Sequence, residues 1–306
     1  MEFPYEYFKA EMIGETLVSE TMKKARAATL ETLSEVINAI EKKNLHYCAL
    51  YGTLLGAVRH GGFIPWDDDI DIGMPRKDYD IFRKTCFEDL PDGYNVLDPS
   101  EEYVPELDIL RINNSVAPSA DPDFLRKYHG CPFVIGIDVY PIDAVPDDPE
   151  MDQGICDAMR LIARVMTIDL NIESAGVLEL GEREEILQIL EKNLHTSFMN
   201  DETIHIDLMR SYDKLASAFK DKKTKNVTVY RNHHDNPSHI FSADSFKTLI
   251  DVEFENMTIK IPADYNKVLE TTYSGYMKPV EWKDTIHHYG FEDQQRLVYD
   301  ALGYIL

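Results

Sequence analysis

An α+β fold is what this sequence predicts: a mixed β-sheet flanked by helices, with a helical section covering the sheet. Three observations carry it. Helical periodicity opens the chain and fills residues 146–225. Short apolar segments of strand character lie between residues 46 and 140 and return after 226. No internal repeat or low-complexity linker separates these parts, and 306 residues with 44% hydrophobic content are enough for one large core. The chain therefore reads as a single catalytic domain over residues 1–306, with a core at 15–145, the helical section at 146–225, and C-terminal strands and a helix at 226–306 returning to that core.

Taken in order, Phe3, Tyr5, Tyr7 and Phe8 form an aromatic lead that either caps the core or touches a partner, capping being the first expectation. Residues 15–43 read as one long helix, because Leu30, Leu33, Ile37 and Ile40 repeat at three- and four-residue steps. Asn44 stops it. His46 to Tyr51 then reads as a buried strand ending at Gly52. Lys77 to Phe87 is a core helix with Tyr79, Phe82 and Cys86 on one face, and residues 94–98, 106–113 and 133–140 look like strands. Three apolar stripes follow: Ile155, Met159, Ile162, Met166; Ile186, Leu187, Leu190, Leu194; and Ile204, Leu208, Tyr212, Leu215. Lys220 to Lys225 is a solvated loop, Phe254–Pro262 a hairpin strand and Ala263–Thr271 a helix.

The chemistry is concentrated in residues 51–71. A Gly52-Thr53 turn opening a short helix aims backbone N–H groups at an anion. Arg59 and His60 leave that helix as candidate phosphate contacts. Pro65-Trp66 stiffens the approach to Asp67, Asp68, Asp69 and Asp71, and Trp66 either stacks on a base or sugar or is a core aromatic. On a strand, Asp69 and Asp71 would share a face while Ile70 packs inward. Paired carboxylates repel unless a cation sits between them, and hard oxygen donors suit Mg²⁺, with Mn²⁺ the alternative. An exposed acidic turn is the bland explanation, but Phe63, Ile64, Ile70 and Ile72 around the acids argue for a buried strand. Asp138, between Ile137 and Val139, is an acid inside an apolar strand and needs compensation. Asp108 competes with it for the same role. Asp143 caps or orients a loop, Asp68 has no assigned role, and Arg111 is either a phosphate or substrate contact or a salt-bridge partner.

Gly52-Thr-Leu-Leu-Gly-Ala-Val-Arg-His60 followed by Gly62-Phe-Ile-Pro-Trp-Asp-Asp-Asp-Ile-Asp71 closely resembles the LicD family. That family contains phosphocholine and polyol-phosphate transferases, with fukutin-type proteins as relatives. The resemblance is dense over residues 45–82. It implies a nucleotidyltransferase-like fold with a phosphate loop at Gly52-Thr53, a metal-binding carboxylate pair at Asp69 and Asp71, and a third metal carboxylate at Asp138. For the transfer such a fold would carry out, an acidic residue accepts the acceptor hydroxyl's proton, and Asp138 and Asp67 are the candidates. Tyr273-Ser274-Gly275, the single Pro279 and Lys283 depart from the family's C-terminal pattern and assign no role to Lys278, His287 or His288.

Composition narrows the partners. The net charge of −24 disfavours nucleic acid and anionic lipid headgroups. The N-terminus has no basic, apolar leader, and no stretch reaches ~18 consecutive apolar residues, so neither a signal peptide nor a transmembrane segment is expected. Cys48, Cys86, Cys131 and Cys156 form no CxxC and read as small buried thiols, without structural zinc, in a cytoplasmic chain that touches the inner face of the membrane transiently. The expected activity is Mg²⁺-dependent transfer of phosphocholine or a similar phospho-alcohol from a CDP-linked donor to a glycan hydroxyl. The alternatives are nucleotidyl transfer with release of pyrophosphate, a non-catalytic nucleotide-binding relic and, more remotely, a glycosyltransferase.

Overall fold

A small hairpin, β1 (Glu11–Ile13) and β2 (Thr16–Val18), precedes the first long helix. The computed structural model describes residues 1–102, 109–171, 173–199, 203–279 and 291–302. Helix α1 (Glu20–Lys42) begins where the Ser19 hydroxyl accepts from the Met22 N–H at 3.1 Å, satisfying one of the first-turn donors. It ends at Lys42, two residues before Asn44, which takes a left-handed φ of 54°. The sequence predicts a helix from residue 15; the hairpin occupies its first residues instead. Leu30, Leu33, Ile37 and Ile40 are all buried in the main core.

The chain then runs through β3 (Cys48–Ala49), α2 (Tyr51–Arg59), β4 (Asp71–Pro75), α3 (Arg76–Thr85), β5 (Asn95–Leu97), β6 (Leu110–Asn113), α4 (Pro122–Lys127) and β7 (Gly136–Val145). The predicted strand over His46–Tyr51 is shorter than expected, because helix α2 already begins at Tyr51. The strand predicted at 133–140 starts later and runs on to Val145, so Asp143 lies in a strand and not in a loop. The helical section is α5 (Pro149–Leu170), α6 (Val177–Leu194) and α7 (Ile204–Ala216). Its three apolar stripes face one another, with Ile162, Leu187, Leu190 and Leu208 among the buried contacts. Last come β8 (Asn226–Thr228), α8 (Tyr230–His233), β9 (Phe241–Ser242), the hairpin β10 (Leu249–Phe254) and β11 (Met257–Pro262), α9 (Tyr265–Thr272) and α10 (Phe291–Ala301).

The central sheet has the order β3-β4-β7-β6-β5, with β8 joining the far half of β7 and β9 joining β8. It is mixed: β4 and β7 run parallel, and the other pairs are antiparallel. Helices flank this sheet, the layout of a nucleotidyltransferase-like α+β fold. One register matters most. Asp71 on β4 is level with Asp138 on β7, and Asp138 is level with Arg111 on β6. Residues level on neighbouring strands share a face, so an acid, an acid and a cation stand in one row across three strands.

Candidate active site

Leu50 caps α2 without offering a side-chain acceptor, and Tyr51 turns into the helix at φ 43°. The first N–H groups of α2 have no intrahelical acceptor, and helix ends carry partial positive charge. Asp67 is set against this end: a Cβ on Gly52 would stand 2.3 Å from Asp67 Oδ2. Only glycine permits that approach. Gly56, one turn on, meets the Gly62 carbonyl just as closely. The two glycines thus press α2 against the loop that carries the acids.

Asp71 is fixed by its backbone from both sides of the same junction. Its N–H donates to Thr53 Oγ1 at 2.8 Å, and its carbonyl accepts from the Leu50 N–H at 3.0 Å. Thr53 is therefore buried and occupied, and it does not line the cavity described below. The loop before the acids has its own anchor. Arg26, buried on α1, donates to the carbonyls of Ile64 at 2.8 Å, Pro65 at 3.0 Å and Asp67 at 2.8 Å. The sequence signal was present: Met22, Arg26, Thr29 and Leu33 keep helical spacing, and an arginine inside such a stripe needs a buried partner. The aliphatic positions alone do not reveal it.

Asp67, Asp68 and Asp69 converge, with one oxygen of each within 4.8 Å of the others. Burial, then the charges of Asp69 and Asp68, push Asp67 up to about 8. Asp71 is raised well above the carboxylate range by burial and by Asp69 and Asp138, while a hydrogen bond from Tyr140 works the other way. Burial also raises Asp138, against the opposing pull of Arg111. These are the shifts of a carboxylate group short of positive charge. Oxygen donors alone, gathered around Asp67–Asp69 with Asp71 alongside, are chemically suited to a small hard divalent ion.

A cavity of about 440 Å³ opens over this cluster. Of the residues singled out from sequence, Gly52, Arg59, Trp66, Asp67, Asp69 and Asp71 line it. Thr53, His60, Arg111 and Asp138 are not among its lining residues. His60 is exposed beyond the end of α2. Arg111 spends its guanidinium on Asp138 through two bonds, at 2.5 and 2.7 Å. Asp138 thus neighbours Asp71 with its carboxylate already engaged. The other wall comes from the C-terminal segment, where Tyr273, Tyr276 and Lys278 face the acids together with Tyr51. Arg59 Nη1 donates to the Tyr276 carbonyl at 2.6 Å and ties that segment to α2. Lys278, to which the sequence assigns no role, stands in this wall. Asp108, Lys283, His287 and His288 lie outside the described residues.

Residues 44–125 match the nucleotidyltransferase domain of the LicD/FKTN/FKRP family, a span holding every acid of the 67–71 cluster. The lipopolysaccharide cholinephosphotransferase LicD of Haemophilus influenzae is 25% identical over 274 residues, covering 88% of this chain and 96% of that protein. Human ribitol 5-phosphate transferase FKRP is 43% identical over 51 residues, 17% of this chain and 10% of that protein. An uncharacterized protein of Rickettsia prowazekii is 44% identical over 102 residues, 24% of this chain and 38% of that protein.

Proposed function

Because this chain belongs to the LicD family and is a phosphotransferase of the LicD type, we propose that it moves a phospho-alcohol, phosphocholine first among them, from a CDP-linked donor to a glycan hydroxyl. The observation that carries this reading is the cavity itself. It sets unbalanced carboxylates and the amino end of α2 beside four aromatic residues, Tyr51, Trp66, Tyr273 and Tyr276. Aromatic faces attract quaternary ammonium groups, which favours choline over a neutral polyol. The likeness to the Haemophilus cholinephosphotransferase over most of both chains points the same way.

Each part of the site then has a task. The first-turn amides of α2, with Arg59 and Lys278, receive the diphosphate. Asp69 and Asp71 would hold Mg²⁺, which supplies positive charge to offset the diphosphate as the bond to the leaving group breaks. Asp138, committed to Arg111, stands behind Asp71 as a fixed charge. Asp67 takes the acceptor hydroxyl's proton, since a base poised near neutral pH suits that transfer and Asp138 is occupied. The acceptor would be a cell-surface polysaccharide, teichoic acid or lipopolysaccharide, approached from the cytoplasmic side. No helix among the described residues is long and apolar enough to cross a membrane.

The test is donor choice. CDP-choline, CDP-ribitol and CDP-glycerol are screened with Mg²⁺ for thermal stabilisation, since a ligand of the native state raises the melting point by mass action. Release of CMP is then followed with a glycan acceptor. CDP-choline is expected to stabilise most and to yield CMP. Release of pyrophosphate from a nucleoside triphosphate would move the reaction to nucleotidyl transfer. Indifference to every cytidine nucleotide would overturn the reading.

A further inference from the structure

A second set of ligating side chains meets where α8 lies against the start of α5, away from the acidic cavity. Asp152 and Cys156 are four residues apart on α5 and so share a face. His233 closes the group from α8. One carboxylate oxygen, the sulfur and one ring nitrogen all lie within 4.8 Å of one another. Asp152 is held in place: Tyr230 donates its hydroxyl to Oδ1 at 3.2 Å, and His233 Nε2 lies 2.8 Å from Oδ2. His233 is 1% exposed, and its Nδ1 has no hydrogen-bond partner among the described residues.

As a purely structural pair this arrangement is poor. It buries an imidazole with one nitrogen unmatched, and unmatched buried polar atoms carry a desolvation cost. Three donor side chains brought this close also suit a metal ion. Carboxylate, imidazole and thiolate from three residues, two of them one helical turn apart, make the donor set of Zn²⁺, with a fourth position for water. Mg²⁺ has no use for sulfur, so the two sites would select different ions. We propose that Asp152, Cys156 and His233 form a binding site for one zinc-class divalent ion, with Tyr230 orienting Asp152 from behind. Binding would release the Cys156 proton, since the thiolate is the ligand.

The place of the site gives the ion a task. Helix α8 also carries Arg231, whose positive charge acts on Asp138 and Tyr140 of β7, beside the acidic cavity. Joining α8 to α5 would fix that charge relative to the sheet.

The test uses the whole chain, reduced and stripped of metal, titrated with Co²⁺. Wild type should show a thiolate-to-cobalt charge-transfer band in the near ultraviolet, saturating at a single equivalent and discharged by Zn²⁺. Cys156→Ser should lose the band, and Cys131→Ser should keep it. Tyr230→Phe removes only the hydroxyl on Asp152 and should weaken zinc affinity about tenfold. Zn²⁺ should raise the melting temperature of wild type and leave that of Cys156→Ser unmoved. Absence of the band in wild type, its survival in Cys156→Ser, or unchanged affinity in Tyr230→Phe would each overturn the proposal. The wild-type titration and the Tyr230→Phe affinity stand even if Cys156→Ser fails to fold.

Discussion

Two clusters of buried charge hang on the same strand, β7, five residues apart. Around Asp143 every acid has a cation. Arg76 grips its carboxylate at 2.6 and 2.8 Å, and reaches Asp213 on α7 at 2.6 Å with another nitrogen. Arg83 meets Asp213 at 2.9 Å and Asp98 at 3.4 Å. Burial pushes the other way, yet the two arginines hold Asp213 below the ordinary carboxylate range. Around Asp138 the balance fails. Arg111 serves Asp138 alone, Arg26 is bonded to carbonyls, and Asp67, Asp69 and Asp71 have no ion pair among the described residues. The Asp67 and Asp71 carboxyls rise where Asp213 falls, although burial also raises Asp143 to about 6 against the pull of Arg76. A cluster that neutralises itself is architecture, here joining the helical section to the sheet. A cluster left acidic at the mouth of a cavity is held ready for a charged ligand.

The contrast breaks first at Arg76, which is 4% exposed. Arg76→Met should cost about 3–5 kcal/mol of stability, because it leaves Asp143 buried without its partner. Urea denaturation measures this, and a loss below ~1 kcal/mol would show that the pair does not hold α3 to β7. The acidic cluster predicts the opposite pattern. Asp71→Asn should keep or gain stability without metal, since a carboxylate among carboxylates is replaced by a neutral amide. Its transfer rate should fall by about a hundredfold or more, ~3 kcal/mol of transition-state stabilisation. CMP release within threefold of wild type would remove the cluster from the chemistry. Thr53→Val is the intermediate case. The hydroxyl accepts the Asp71 N–H, so losing it should destabilise by about 1–3 kcal/mol. Were Thr53 only a phosphate contact, as its sequence suggests, unfolding would not change.

How much of this could be read from sequence depends on the range of each interaction. The acidic run, the glycine turn and the alternation around Asp138 are local, and the sheet register indeed sets Asp71 and Asp138 side by side. The apolar stripes were legible for the same reason. What escaped was pairing across long separations. Nothing local says that Arg26 reaches 41 residues to the Asp67 carbonyl, or that Arg111 consumes Asp138. Asp143 reads as a loop acid from its own neighbours, yet β7 continues through it and meets Arg76. The C-terminal wall escaped as well. Any of 17 tyrosines could have faced the acids, and only the tertiary fold selects Tyr51, Tyr273 and Tyr276.

The smallest effect is the most specific, because it reads the protons on the unbalanced cluster. Asp67 is raised to about 8 in the folded, metal-free protein, against an unfolded carboxyl near 4. A raised carboxyl binds its proton more tightly when folded. That contribution to stability is complete below the unfolded pKa and is lost as pH rises toward the folded one. Metal-free melting temperature should therefore fall between roughly pH 4 and 8 on account of this group. Asp143, raised to about 6, shares that sign over the lower half of the window, whereas Asp213 has the opposite sign: its contribution is present above the unfolded pKa and is lost only as pH falls through its depressed folded value, so it is flat across that window. A divalent ion needs the carboxylates ionised. Mg²⁺ affinity should rise with pH up to about 8, by at most tenfold per unit for each proton displaced, ~1.4 kcal/mol. Calorimetry of Mg²⁺ binding in buffers of different ionisation enthalpy counts those protons. Release that vanishes in Asp67→Asn would assign them to Asp67. Affinity independent of pH across the window would mean that the cluster is already ionised, and that the contrast with the Asp143 network is one of geometry and not of charge.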